Sequence, residues 1–109
     1  MSDEKFLREM GTRIHLRRRE MGFTQERLAE LMDVSIQMIS NLELGKKAIR
    51  PENLARLCSV LNVSADYILR GIRSESELSR LNAKIASLSP EDQSCIELIA
   101  DRFIHKNKA

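Results

Sequence analysis

The segment Thr24 to Gly45, TQERLAELMDVSIQMISNLELG, leaves little freedom in how it can fold. Thr24 and Ser35 are hydroxyl residues suited to accept a backbone N–H at a helix start. Phe23 before the first cap and Leu28 after it are spaced for a hydrophobic staple. The pattern predicts one helix near Gln25 to Met32 and a second from Ile36 to Leu44, which Gly45 ends. Only Asp33 and Val34 separate the first helix from the second cap, so the connection is a tight turn. Ala29 is small where the second helix must pass close by, and Val34 and Ile39 can fill the space between the helices. Leu28, Ala29, Val34, Ile39 and Leu42 are the expected core of the pair. Met32 and Met38 fit either core filling or partial exposure.

The flanking chain reads as further short helices, with no sustained strand alternation. Apolar residues at Phe6, Leu7, Met10, Ile14 and Met21 lie on roughly one face of a helix from Phe6 to Met21, closed by Gly22. Pro51 suits the first turn of a fourth helix with the stripe Leu54, Leu57, Cys58 and Leu61. Ser64 caps a fifth, short helix carrying Tyr67, Ile68 and Leu69 before Gly71. Gly71 to Ser76 is a candidate boundary. Ser74 and Glu77 form a capping box for a sixth helix, whose Leu78, Leu81, Ile85 and Leu88 repeat at spacings of three and four. Ser89 caps a seventh, with acids in its first turn and Cys95, Ile96, Leu98, Ile99, Phe103 and Ile104 as its apolar residues. The polar tail from His105 to Ala109 is expected to fray.

Composition narrows the function classes. The chain has 109 residues, with 18 basic and 16 acidic side chains, a net charge of +2. No window approaches the roughly 20 apolar residues of a membrane span. The charged start MSDEKFLREM does not read as a secretory signal, so a cytoplasmic protein with no membrane partner is expected. Cys58 reads as an inert buried thiol and Cys95 as a packing residue; with His15, read as surface, and His105, they offer no metal-ligand spacing. No metal or cofactor is expected. No nucleophile–base pair or glycine-rich phosphate loop supports an enzyme. The charge surplus lies wholly in residues 1–72, where Arg17, Arg18 and Arg19 are consecutive and Lys46, Lys47 and Arg50 cluster.

Two short helices locked at a steep angle let the second project, and the DNA major groove is wide enough to admit it. The chain here resembles the phage-repressor/Cro-like (XRE) helix-turn-helix family over about residues 6–71. Thr24-Gln25, Leu28-Ala29, Val34-Ser35, Ile39-Ser40 and Glu43-Leu44-Gly45 carry the resemblance, with Pro51, Leu54, Leu57, Leu61-Asn62-Val63-Ser64 and Tyr67-Ile68-Leu69 behind them. One departure is Asp33, at a turn position where the family often has Gly; Asp tolerates a left-handed conformation better than most residues.

The resemblance implies an all-α fold: a five-helix lambda-repressor-like DNA-binding domain over residues 1–71, then a two-helix hairpin over residues 72–109. It implies base reading by Ile36, Gln37, Ser40 and Asn41 in the second helix of the motif. Gln and Asn can bond adenine through both amide atoms, while Ile36 can meet only apolar atoms such as a thymine methyl. Gln25 and Ser35 are implied as phosphate contacts, with Lys46, Lys47 and Arg50 clamping flanking phosphates. Arg18 and Glu43 match a family pair that bridges the first and third helices. Arg17 and Arg19 are candidate phosphate contacts, although such a run alone reads equally well as a solvated face.

The hairpin is too small to be a globular domain of its own. Its apolar residues Leu78, Leu81, Ile85, Leu88, Cys95, Leu98, Ile99 and Phe103 need a cover: the first domain, another protein, or a second copy. A second copy is favoured, because a two-fold dimer doubles the contact on a palindrome. The expected function is a sequence-specific transcriptional regulator, most simply a repressor on a palindromic double-stranded operator. The alternative is a protein-interaction module of antitoxin or anti-repressor type, whose hairpin binds a foreign partner.

Overall fold

The structure, a computed structural model, describes residues 3–107, and among them it is all helical. Seven helices follow in order: α1 (Asp3–Glu20), α2 (Gln25–Met32), α3 (Ile36–Glu43), α4 (Pro51–Leu61), α5 (Ala65–Arg70), α6 (Glu75–Ala86) and α7 (Pro90–Asn107). Helix α1 starts three residues before the expected Phe6, because Asp3 and Glu4 favour the positive end of the helix dipole. Helix α7 continues through His105, Lys106 and Asn107, where fraying was expected; the last two residues of that tail lie outside the described residues.

The caps set the boundaries. The side chains of Thr24, Ser35 and Ser64 each accept a backbone N–H three residues on, from Arg27, Met38 and Tyr67, each at 3.0 Å. Helix α2 ends in a left-handed Asp33 (φ 57°), and the Val34 N–H reaches the Ala29 carbonyl at 3.0 Å. Helix α4 ends the same way: Asn62 has φ 53°, and the Val63 N–H bonds the Cys58 carbonyl. The expected Gly was thus replaceable by Asp, whose short polar side chain lowers the cost of this conformation.

The chain divides into two compact units between Ser74 and Glu75. In the first, α1 packs along α3 and α5, α2 against α3 and α4, and α4 against α5. Its core joins Met10 and Ile14 of α1, Leu28, Ala29 and Met32 of α2, Ile39 and Leu42 of α3, Leu57 and Leu61 of α4, and Tyr67 and Ile68 of α5. Val34, Met38 and Cys58 are half-buried against it. Gly11 permits α1 to approach the end of α3 closely. A Cβ there would lie 2.6 Å from the Glu43 carbonyl oxygen, and closer still to that of Leu42. In the second unit α6 and α7 form the two-helix hairpin. The Gln93 amide donates to the carbonyls of Leu88 and Ala86, and Ser89 caps α7 at the Asp92 N–H. Among the described residues, no apolar side chain of α6 or α7 is fully buried.

Candidate nucleic-acid interface

Helix α3 buries Ile39 and Leu42 and turns its other face outward. Ile36 is 49% exposed at its first turn. Gln37 is exposed, and Ser40 and Asn41 are half-exposed. The Gln37 amide donates to the Asn41 side-chain oxygen at 3.1 Å, one helical turn on. That bond leaves the Gln37 oxygen as an acceptor and the Asn41 amide as a donor, so the linked pair offers both polarities along one face. Lys46, Lys47 and Arg50 are exposed in the loop behind α3, and Arg19 is exposed at the end of α1.

The α3 helix is anchored to α1 by an almost buried ion pair. Arg18 donates through Nε to Glu43 Oε2 at 2.6 Å and through Nη2 to Oε1 at 3.0 Å. Only 9% of the Arg18 side chain and 4% of the Glu43 side chain meet solvent. The remaining Arg18 nitrogen donates to the Phe23 carbonyl at 2.8 Å. The Gln25 amide donates to Glu43 Oε1 at 3.1 Å, and His15 Nδ1 lies 2.9 Å from the same oxygen. For His15 to donate there, Nδ1 must carry its proton, so it cannot also accept from Arg18 at 3.2 Å. Burial alone would push the Glu43 carboxyl up. The hydrogen bonds from Arg18, His15 and Gln25 and the Arg18 charge outweigh it and hold the carboxyl below the usual range.

This network brings Gln25 and Ser40 to one cleft of about 320 Å³, lined also by Thr12, His15, Glu43 and Leu44. Gln25 thus sits at the first turn of α2 beside α3, with its amide nitrogen directed to Glu43. Ser35 spends its hydroxyl on the Met38 N–H as the α3 cap. Arg17 stands apart from the rest of the basic set. It donates to the Leu61 carbonyl at 2.8 Å and pairs with Glu20, which ties α1 to the end of α4.

Sequence reasoning missed three parts of this arrangement. His15 keeps 43% of its side chain exposed, as a surface residue would, yet its Nδ1 also reaches Glu43; its place one helical turn before Arg18 was the available signal. Gly11 was silent, although an isolated Gly within a helical pattern hints at close packing. The tie from Arg17 to a carbonyl 44 residues away has no signal in the local pattern.

Two short packed helices joined by a tight turn, an outward polar helix face and basic residues flanking it define a helix-turn-helix DNA-binding domain. The helix-turn-helix family model HTH_3 matches residues 14–68, half of the chain, and the chain belongs to this family of XRE type. The chain carries the helix-turn-helix domain of this family, which is one of DNA-binding transcription regulators rather than enzymes. Among its relatives, the prophage-derived regulator YonR of Bacillus subtilis is 28% identical over 71 residues, 65% of this chain and 66% of that protein. Repressor protein C2 of Salmonella phage P22 is 34% identical over 70 residues, 64% of this chain and 32% of that protein. The chain thus spans less than two thirds of the length of either. Among solved structures, the clp gene regulator ClgR of Corynebacterium glutamicum is 30% identical, with a TM-score of 0.56 over 85% of this chain and 92% of that one. No helix among the described residues is long and apolar enough to cross a membrane.

Proposed function

We propose that the chain is a sequence-specific repressor that binds a palindromic operator as a dimer, with residues 1–71 reading DNA and residues 72–109 joining the copies. The observation that carries this reading is the Gln37–Asn41 amide pair on the exposed face of α3, between the Ser35 cap and the basic loop. In the major groove these amides present donor and acceptor to adenine edges, Ser40 adds a hydroxyl, and Ile36 meets a thymine methyl. Gln25 and the α2 N-terminus receive one phosphate, and the backbone N–H groups behind Ser35 another. Lys46, Lys47, Arg50 and Arg19 hold the flanking backbone without reading sequence. Arg17, committed to the Leu61 carbonyl, acts instead in tying α1 to α4.

A dimer is supported by the second unit, where Leu78, Leu81, Leu88, Leu98, Ile99 and Phe103 all stand exposed in the single chain. Two copies would place two α3 helices about one DNA turn apart. The name of the phage P22 relative supports repression as the sign of regulation. The work of such a protein lies where chromosomal DNA is, in the cytoplasm. Selection of bound sites from random duplex DNA tests the reading. An enriched palindrome with half-sites roughly 10 base pairs apart is expected. Failure to enrich any sequence would overturn sequence-specific binding, and a single unrepeated half-site would overturn the dimer.

A further inference from the structure

Helix α7 has its charge sorted along its length. The acids Glu91, Asp92, Glu97 and Asp101 all precede the bases Arg102, His105 and Lys106. At 100° per residue, Ile96, Ile99 and Phe103 fall within an arc of about 60°. They are 37%, 55% and 59% exposed, so the arc is an apolar stripe open in the single chain. Asp92 lies on the same arc at one end, and Lys106 borders it at the other. Ile99 is the midpoint in sequence between Asp92 and Lys106, which are about 21 Å apart along the helix.

From this we infer that α7 is the helix through which two copies pair, antiparallel and crossing at Ile99. The inference rests on the dimer reading above and specifies its geometry. Crossing at Ile99 sets that residue against its own counterpart and brings Ile96 of one copy beside Phe103 of the other. The two-fold axis then places Asp92 of each copy against Lys106 of the other, so both ends of the stripe close with opposite charges. A parallel pairing in the same register would set Asp92 against Asp92 and Lys106 against Lys106, two like-charge contacts at an interface. The interface is isologous, so every contact occurs twice.

The test uses the full chain and measures the dimer dissociation constant by sedimentation equilibrium. Ile99→Asp should abolish the dimer at concentrations where the parent chain is dimeric. Lys106→Glu should raise the dissociation constant roughly tenfold, since two symmetry-related attractions become repulsions. Asp92→Lys together with Lys106→Glu should restore most of the affinity, because the pairs are then reversed in sign. Each substitution places an unfavourable charge at a helix end, so recovery in the double variant cannot come from the helix dipole. A dimer indifferent to Ile99→Asp, or to Lys106→Glu, would overturn the antiparallel α7 pairing and leave the dimer reading standing. A parent chain that stays monomeric at high concentration would overturn the dimer reading itself, and the pairing with it.

Discussion

Glu43 gathers Arg18, His15 and Gln25 at the α1–α3 contact, and its ionisation is the residue-level lever on the fold. Its carboxyl is depressed, since burial is outweighed by the Arg18, His15 and Gln25 hydrogen bonds. The folded state therefore holds the proton less readily than the unfolded chain. The resulting stability is full above the ordinary glutamate value, about 4.3, and is lost as pH falls through the lower folded value. Urea unfolding followed across pH 2–6 should show that loss in the parent chain (roughly this window) and a flatter profile in Glu43→Gln. The same substitution should cost about 3 kcal/mol at neutral pH, because it leaves the buried Arg18 guanidinium without its counter-charge. A loss near zero would mean that the pair contributes nothing to holding α3. Gln37 is the residue-level test of reading. Gln37→Ala should weaken binding to an enriched site by roughly 1–3 kcal/mol and leave binding to random DNA nearly unchanged. Equal losses on both would remove Gln37 from the base-reading set.

At the scale of elements, helices α2 and α3 were legible because their limits are written in local chemistry: Thr24 and Ser35 as caps, Asp33 as the left-handed exit, Gly45 beyond α3. Resemblance gave the Arg18–Glu43 bridge, which the structure contains. What the local pattern could not give is contact across long sequence distances: Gly11 against the end of α3, His15 on Glu43, Arg17 on Leu61. These arise from packing, and helical periodicity reports only which face is apolar. Gly11 sets how near α1 and α3 can come. A methyl there would overlap the α3 backbone, which cannot move aside as a flexible side chain can. Gly11→Ala, favourable by helix propensity alone, should instead destabilise by about 1–3 kcal/mol, read as a fall in urea midpoint with unchanged slope. A stabilised Gly11→Ala would show that the two helices sit farther apart.

For the whole molecule, a net charge of +2 is small, and its placement decides how the chain meets a polyanion. Lys46 and Lys47 are exposed beside α3. Replacing both by Ala should weaken specific and random binding together and flatten the dependence of log affinity on log salt by about two charges per chain. An unchanged slope would remove them from the phosphate set. The same division of labour predicts what the second unit adds. The buried apolar core lies wholly within residues 10–68, so a chain ending at Ser74 keeps every core side chain. It should unfold cooperatively, with helical circular dichroism reduced only by the share of α6 and α7. On the proposed dimer, a chain without α6 and α7 would bind each half-site independently and lose the gain from linking two reading heads. Affinity for a full palindrome should then fall roughly 10²–10⁴-fold, the usual range for losing bivalent attachment. Affinity for a lone half-site should stay within about twofold, because no DNA-facing residue has been removed. Titration of both duplexes with the full and shortened chains separates these effects. Equal losses on the palindrome and the half-site would mean that α6 and α7 touch DNA or support the fold rather than join two copies.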